Sequence, residues 1–468
     1  MKRVHGSQHY VPGLYTAKRP GEATEPEGRF GRMFDPWMLG GPHPALAGQL
    51  LALGAPKGVM DEGKTANAPG DSNIPSGYTF LGQFIDHDIT LDVSSKLDRR
   101  AHPHHIQNAR TPTLDLDCVY GGGPEASPHL YVTGAHGEIH IGKATKKRPF
   151  DDLARFDSTA LIGDPRNDEN LVVSQLQLAW IKFHNAVLDE VGDFEKARNT
   201  VVHYYHRIIV EDFLPRIIGK EMTDDILYKG RCYYFPEGFG QGEKQPYMPV
   251  EFSVAAYRFG HSMVRALYNF NTKVVQKPLF EFGSFKPAQT FVQWDRYFQI
   301  KGAKKGPEKA RKIDRKLPGI LFDLPFASDV KSLAQRNLLR GRSFRLPSGQ
   351  GLAEQMAEDG LLDPKEICPP DDAVTALKMP CTPLWYYVLQ EAETLAKGNH
   401  LGPVGGRIVG EVLCGLVEHY RDTTEGMGLD YRPDVDIGLA DPFCATMADV
   451  LRFAGVHKLN PPEPWFVP

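Results

Sequence analysis

The stretch Gly82-Gln83-Phe84-Ile85-Asp86-His87-Asp88 places an amide, an imidazole and two carboxylates inside about two helical turns of an otherwise apolar segment. The flanking Tyr78, Phe80 and Leu81, with Phe84 and Ile85 inside it, make the segment too apolar to lie free in water. Its polar groups therefore serve something within the fold. As a helix it puts Gln83 and His87 four apart on one face, while Asp86 and Asp88 point to different sides. One face can serve a pocket and another a cation-like site.

The chain has 468 residues, 41% of them hydrophobic, enough for a substantial core in one large domain or up to about three of average size. A net charge of −4 and a pI near 6.5 show no basic excess, which argues against nucleic acid as a partner. The run from Lys301 to Lys312 is broken by Gly, Pro and Glu and reads as an exposed loop. No apolar run approaches the roughly 20 residues of a membrane span, and Met1 to Ser7 lacks the apolar core of a secretory signal. The expectation is a cytoplasmic protein, with export by a non-classical route left open. Six cysteines without CxxC spacing suit reduced, mostly buried thiols.

Residues 1–72 are dense in Gly and Pro with little periodicity and read as an irregular arm, leaving 73–468 as a single helical domain. Helices are predicted over 78–89, 170–191, 194–218, 249–267, 328–341, 383–397 and 405–421. Leu130 to Ile141 alternates around Gly134-Ala135-His136-Gly137 and predicts a short hairpin. His102, His104 and His105 form a trio without an acidic or cysteine partner at ligand spacing. Gly402 to Arg407 has neither a preceding strand nor a Lys-Ser/Thr ending, so it reads as a helix start rather than a phosphate loop. The fold class is mainly α with minor β-hairpins.

Three further segments carry chemistry. Thr111, Thr113, Asp115 and Asp117 alternate along one loop, as oxygen ligands do around a hard cation. Ile162-Gly163-Asp164-Pro165-Arg166-Asn167-Asp168-Glu169-Asn170 opens the long helix, where acidic and capping residues are expected and the cation Arg166 is not. Ala255 to Val264 sets His261 in an apolar stretch beside Gly260, which allows close approach of a flat group.

In order and local spelling, GQFxDHD, GDxRxxE and YRFGH resemble the peroxidase–cyclooxygenase superfamily, the animal or myeloperoxidase-like haem peroxidases, as a bacterial-type member. The likeness covers about residues 75–350 well and Cys381 to Val456 more loosely. It implies a myeloperoxidase-like helical haem domain using haem b. By resemblance, His87 is the base that moves the proton of hydrogen peroxide, Arg166 the cation beside it, and Gln83 a neighbour lining the same pocket. His261 is the proximal iron ligand, and Arg258 pairs with a haem propionate. Asp86 and Glu169 hold the positions that can become esterified to haem methyls. Asn170 stands where a sulfonium-forming Met would be, so that third bond is not expected. Asp88, Thr111, Thr113, Asp115 and Asp117 match the calcium site, with Asp117 in place of the usual Ser. The Asn that hydrogen-bonds the proximal His in the family is matched to Gln350. His184 and Asn185, also matched, are assigned structural roles.

The resemblance implies a peroxidase that works through an oxyferryl intermediate and oxidises a small donor such as halide, thiocyanate or a phenol. A fatty-acid dioxygenase or cyclooxygenase-like enzyme is the alternative. Such enzymes carry a radical-forming tyrosine three residues before the proximal His, where this chain has Arg258. A non-catalytic haem or calcium binder is the third reading, and the pairing of His87 with Arg166 speaks against it.

Overall fold

The structure is a computed structural model that describes residues 28–35, 46–63, 70–92, 103, 106–235, 246–324, 329–423 and 433–457. The His102, His104 and His105 trio lies outside the described residues.

Helices dominate, and their ends follow local chemistry. Helix α1 (Gly77–Ile89) buries Phe80, Leu81, Phe84, Ile85 and Ile89 and stops where extended Thr90 turns its Oγ1 back to the carbonyl of Asp86 at 3.0 Å. Helix α2 (Leu171–Val191) is capped by Asn170, whose side chain accepts from Val173 N, and ends at Gly192 in the left-handed region (φ 68°). It packs between α1 and α3 (Phe194–Arg207), which Asp193 caps through Lys196 N. The remaining longer helices are α4 (Lys220–Lys229), α5 (Leu333–Ser343), α6 (Gly349–Glu358), α7 (Leu384–Ala396) and α8 (Pro403–Thr423). The helix start expected near Gly402 is real: the buried Glu391 carboxylate accepts Val404 N at 3.0 Å and Gly405 N at 3.2 Å.

Beyond α3 the chain stays helical but widens into a π-turn at Ile208–Phe213 before Leu214–Ile217. Pro215 has no N–H for the carbonyl of Glu211, and the Cys444 thiol lies 3.5 Å from that oxygen instead. The predicted helix 249–267 is also altered. It is a π-turn at Glu251–Ala255 followed by a 3₁₀ segment, Ala256–His261, joined at Ala255 (φ −128°, ψ −76°). Side-chain donors take carbonyls that a continuing helix would use: Arg258 Nε donates to Ser253 O at 2.9 Å, and Trp385 Nε1 to Arg258 O at 3.2 Å. Sequence periodicity does not register such competition from distant side chains.

The strands are short. Gly28–Gly31 pairs antiparallel with Gln107–Asn108 and parallel with Tyr247–Pro249, and Asp71–Pro75 pairs antiparallel with Lys309–Arg311. The N-terminal stretch expected to be irregular thus contains a strand and a helix, Leu46–Leu53, with Phe30, Leu50, Leu53 and Met60 buried. The partners of that strand lie far along the chain, which is why local composition hid it. Lys309–Arg311 likewise departs from the exposed loop expected for 301–312. The hairpin expected at 130–141 is a tight turn closed at Tyr131 and Ile139, and Asn185 holds both the N–H and the C=O of Ile139 at 2.9 Å.

Candidate active site

One cavity gathers most of the expected residues. It is walled by α1 (Gln83, Asp86, His87), by the turn before α2 (Arg166, Glu169, Asn170), by Ser253–Val264 including Arg258 and His261, and by Arg336 and Arg340 of α5. Leu279, Phe280 and Leu321 add apolar surface. Residues nearly two hundred positions apart meet here because α1 packs against both α2 and the 3₁₀ segment.

The protonation of His87 follows from its partners. The backbone carbonyl of Cys118 can only accept, so Gln177 Nε2 donates to it at 3.0 Å. Gln177 Oε1 then accepts from Asn167 Nδ2 at 2.8 Å, which turns Asn167 Oδ1 toward His87 Nδ1 at 2.7 Å. Nδ1 must donate, and Nε2 is left as the basic nitrogen. His87, Asn167 and Gln177 are all buried, so water does not compete along this chain.

Arg166, 6% exposed, lies in a 3₁₀ turn (Pro165–Asp168) and donates to the carbonyl of His87 at 3.0 Å. Asp164 grips it through Nη2 at 2.8 Å and through Nε at 3.1 and 3.3 Å, and pairs as well with Arg110 Nε at 2.9 Å. Burial would raise the Asp164 pKa, but Arg166 and Arg110 outweigh it and hold the carboxyl well below the usual range. The awkward cation at a helix start is thus held in place by a local counter-charge.

Gln83 Nε2 donates to Glu169, and Gln83 Oε1 accepts from Asn170 Nδ2 at 3.3 Å. Burial pushes Glu169 up to about 8 against the opposing pull of Arg166, and burial also raises Asp86. Across the cavity wall, Arg258, Arg336 and Arg340 crowd together. Burial lowers all three, and repulsion from Arg340 adds to it at Arg258, brought down to about 10, and at Arg336, whereas Asp92 opposes it at Arg340. Such a cationic end suits an acidic ligand.

The expected partner of His261 is corrected. Gln350 is occupied elsewhere: its amide donates to Cys368 O at 3.0 Å and Thr382 Oγ1 at 2.8 Å, and accepts from Thr382 N at 2.9 Å. Asn337 takes the role, with Nδ2 lying 2.8 Å from His261 Nδ1 and Oδ1 accepting from Arg258 at 2.7 Å. Arg336, Asn337 and Arg340 share a face of α5 at helical spacing, the signal that could have selected Asn337 over Gln350.

On the other side of α1, Asp88, Asp115 and Asp117 bring a carboxylate oxygen each within 4.8 Å of one another. Asp88 Oδ1 and Thr113 Oγ1 are buried without a hydrogen-bond partner, and burial with the neighbouring carboxylates raises Asp88 and Asp117. Thr111 shares the loop, its carbonyl accepting from Thr113 N at 2.9 Å. Asp117 also meets Arg110 Nη1 at 3.0 Å. His184, as expected, is structural, bonded to Tyr120 Oη and Gly137 O at 3.1 Å each.

The family model for animal haem peroxidases matches residues 93–350. A peroxidase-like protein of Margaritifera margaritifera is 28% identical over 188 residues, 36% of this chain and 23% of that protein, so the matched stretch spans about a quarter of the relative's length. Peroxidase A of Dictyostelium discoideum shares the fold with a TM-score of 0.60 at 16% identity, covering 94% of this chain and 96% of that one. A fatty acid alpha-dioxygenase of Arabidopsis thaliana shares it at a TM-score of 0.52 and 15% identity, covering 87% and 72%. With more than half of its length matched by the family model, and with paired histidines and an arginine around one cavity, the chain belongs to the animal haem peroxidase family.

Proposed function

We propose that this protein is a haem-dependent peroxidase that reduces hydrogen peroxide and oxidises a small donor, whether halide, thiocyanate or phenol. The observation that carries the reading is the relay from Cys118 O through Gln177 and Asn167, which presents a basic His87 Nε2 in a cavity shared with Arg166 and His261. The residues present fit haem: His261 would hold the iron, Arg258, Arg336 and Arg340 would receive its carboxylates, and Leu279, Phe280 and Leu321 would face the ring. When bound, the haem supplies the electron chemistry. His87 takes a proton from peroxide and returns it to the leaving oxygen. Arg166, fixed by Asp164, holds positive charge beside His87 where negative charge develops as the peroxide bond breaks.

His261 needs its Nδ1 proton when Nε2 binds metal, so the Asn337 amide must then offer Oδ1 to it. Asp86 and Glu169 face the same cavity, which supports ester links to the haem. The orphaned oxygens of Asp88 and Thr113 beside Asp115 and Asp117 support a calcium ion that braces α1, with Thr111 in the same loop. We treat 73–468 as one catalytic domain, and the six free thiols support a reducing compartment. The oxygenase reading is disfavoured because Arg258, tied to Asn337 and Ser253, stands three residues before His261.

The test is the absorption spectrum of the haem-reconstituted protein before and after stoichiometric peroxide, with guaiacol and then bromide added. A Soret band that shifts and returns with donor supports the peroxidase. A band indifferent to peroxide overturns it.

A further inference from the structure

Two tyrosines line the cavity, and they differ in one respect. Tyr257 is buried with its hydroxyl lacking a hydrogen-bond partner, whereas Tyr78 Oη donates to Asp212 Oδ2 at 2.6 Å. Tyr78 is 4% exposed and Asp212 2%, so the pair is shielded from water. Asp212 sits on the π-turn Ile208–Phe213, the kind of irregularity that aims a side chain where a regular helix would not. Its second oxygen accepts from Arg216 Nε at 2.8 Å. The Arg216 guanidinium lies over the Tyr78 ring, 4.7 Å from its centroid, with a side chain 40% exposed. The three residues therefore run from the cavity wall to the surface.

A phenol that loses an electron becomes a strong acid, so oxidation is easy only where a base already waits for the proton. Asp212 is that base for Tyr78, and Tyr257 has none. We infer that Tyr78 is a redox residue that passes an electron to the peroxide-oxidised haem while its phenolic proton moves to Asp212 Oδ2. The Tyr78 O–H bond breaks, an Asp212 O–H bond forms, and the haem is reduced by one electron. A one-electron aromatic donor resting beside Arg216 then restores the electron, and Asp212 returns the proton. This rests on the haem peroxidase reading.

The experiment freezes the haem-loaded full chain within seconds of adding peroxide and records its electron paramagnetic resonance. A tyrosyl signal in the unaltered protein that is lost in Tyr78→Phe and kept in Tyr257→Phe is expected. A signal that survives Tyr78→Phe, or disappears only in Tyr257→Phe, overturns the assignment. Should Tyr78→Phe fail to fold, a nitroso spin trap added to the unaltered protein decides by mass spectrometry. An adduct on Tyr78 supports the relay, and adducts confined to other residues overturn it. A missing Soret band would remove the oxidant itself, which separates failure of the haem reading from failure of the relay.

Discussion

Asn337 stands between His261 and Arg258, 2.8 Å from the imidazole Nδ1 through its amide nitrogen and 2.7 Å from the guanidinium through its oxygen. In this orientation the amide gives its oxygen to Arg258 and its nitrogen to His261, so turning Oδ1 toward a protonated Nδ1 takes it away from Arg258. Metal ligation by His261 therefore competes with the Arg258 contact, and loading haem should turn the amide and release Arg258 toward an acidic group of the ligand. Asn337→Asp, which accepts from both, is expected to retain haem at least as well as the parent. Asn337→Leu should lose about tenfold to a hundredfold in haem affinity. Titration of the apo-protein with haem reads both, and equal affinities for the leucine variant and the parent would refute the coupling.

Gln177 should matter although it lies two hydrogen bonds away from the base it orients. In Gln177→Leu the Asn167 amide is free to turn over, and His87 can carry its proton on either nitrogen. The rate of the first spectral change with peroxide should fall roughly tenfold to a hundredfold, with haem still bound. Stopped-flow absorbance measures it, and an unaltered rate would detach the relay from catalysis.

Calcium is expected to stabilise the fold through Asp88, Asp115 and Asp117. At about a hundred times the dissociation constant the gain should be on the order of 3 kcal/mol. Thermal unfolding with calcium, and again after EGTA, gives the value. Asp115→Ala should abolish the difference, and a melting temperature indifferent to calcium in the parent would remove the site.

Glu391 provides a pH test remote from the cavity. Burial raises its pKa to about 8, opposed by the two backbone N–H groups it accepts. Because the folded value lies above the unfolded one, its stabilising contribution is complete at acid pH and is lost as pH rises through about 8. Glu391→Gln cannot ionise, so the melting temperature of the parent should fall relative to this variant between about pH 5 and 8. Parallel pH profiles would show that the group is ionised throughout.

Asp164 behaves oppositely, since Arg166 and Arg110 hold its pKa low against burial and its contribution is lost only in strong acid. Asp164→Asn leaves two buried guanidinium groups short of a counter-charge and should cost roughly 3–5 kcal/mol. Urea unfolding at neutral pH is the measurement, and a loss under about 1 kcal/mol would mean the cations find other partners.

Much of this was legible in the sequence because it was local. The α1 segment fixes which face carries Gln83 and His87 and which carries Asp88, and the Asn170 cap marks the start of α2. What escaped was set by tertiary competition. Asn337 and Gln350 are both amides near a helix start or face, and only folding shows that Thr382 and Cys368 claim the latter. The end of the 249–267 helix depends on Trp385, more than a hundred residues away. Nothing local marks Asn167 and Gln177, because their role depends on the fold bringing His87 against them.

The parallel pairing of Gly28–Gly31 with Tyr247–Pro249 has a consequence for how the chain is made. Emerging from the ribosome, the early strand can meet Gln107–Asn108 first, but its parallel partner exists only after more than two hundred further residues. Until then Phe30, which pairs with Met248 and is buried in the finished fold, lacks that neighbour. The segment that leads directly into Arg258 and His261 is thus held by a strand more than two hundred residues earlier, which ties assembly of the haem-binding wall to long-range pairing rather than to local folding.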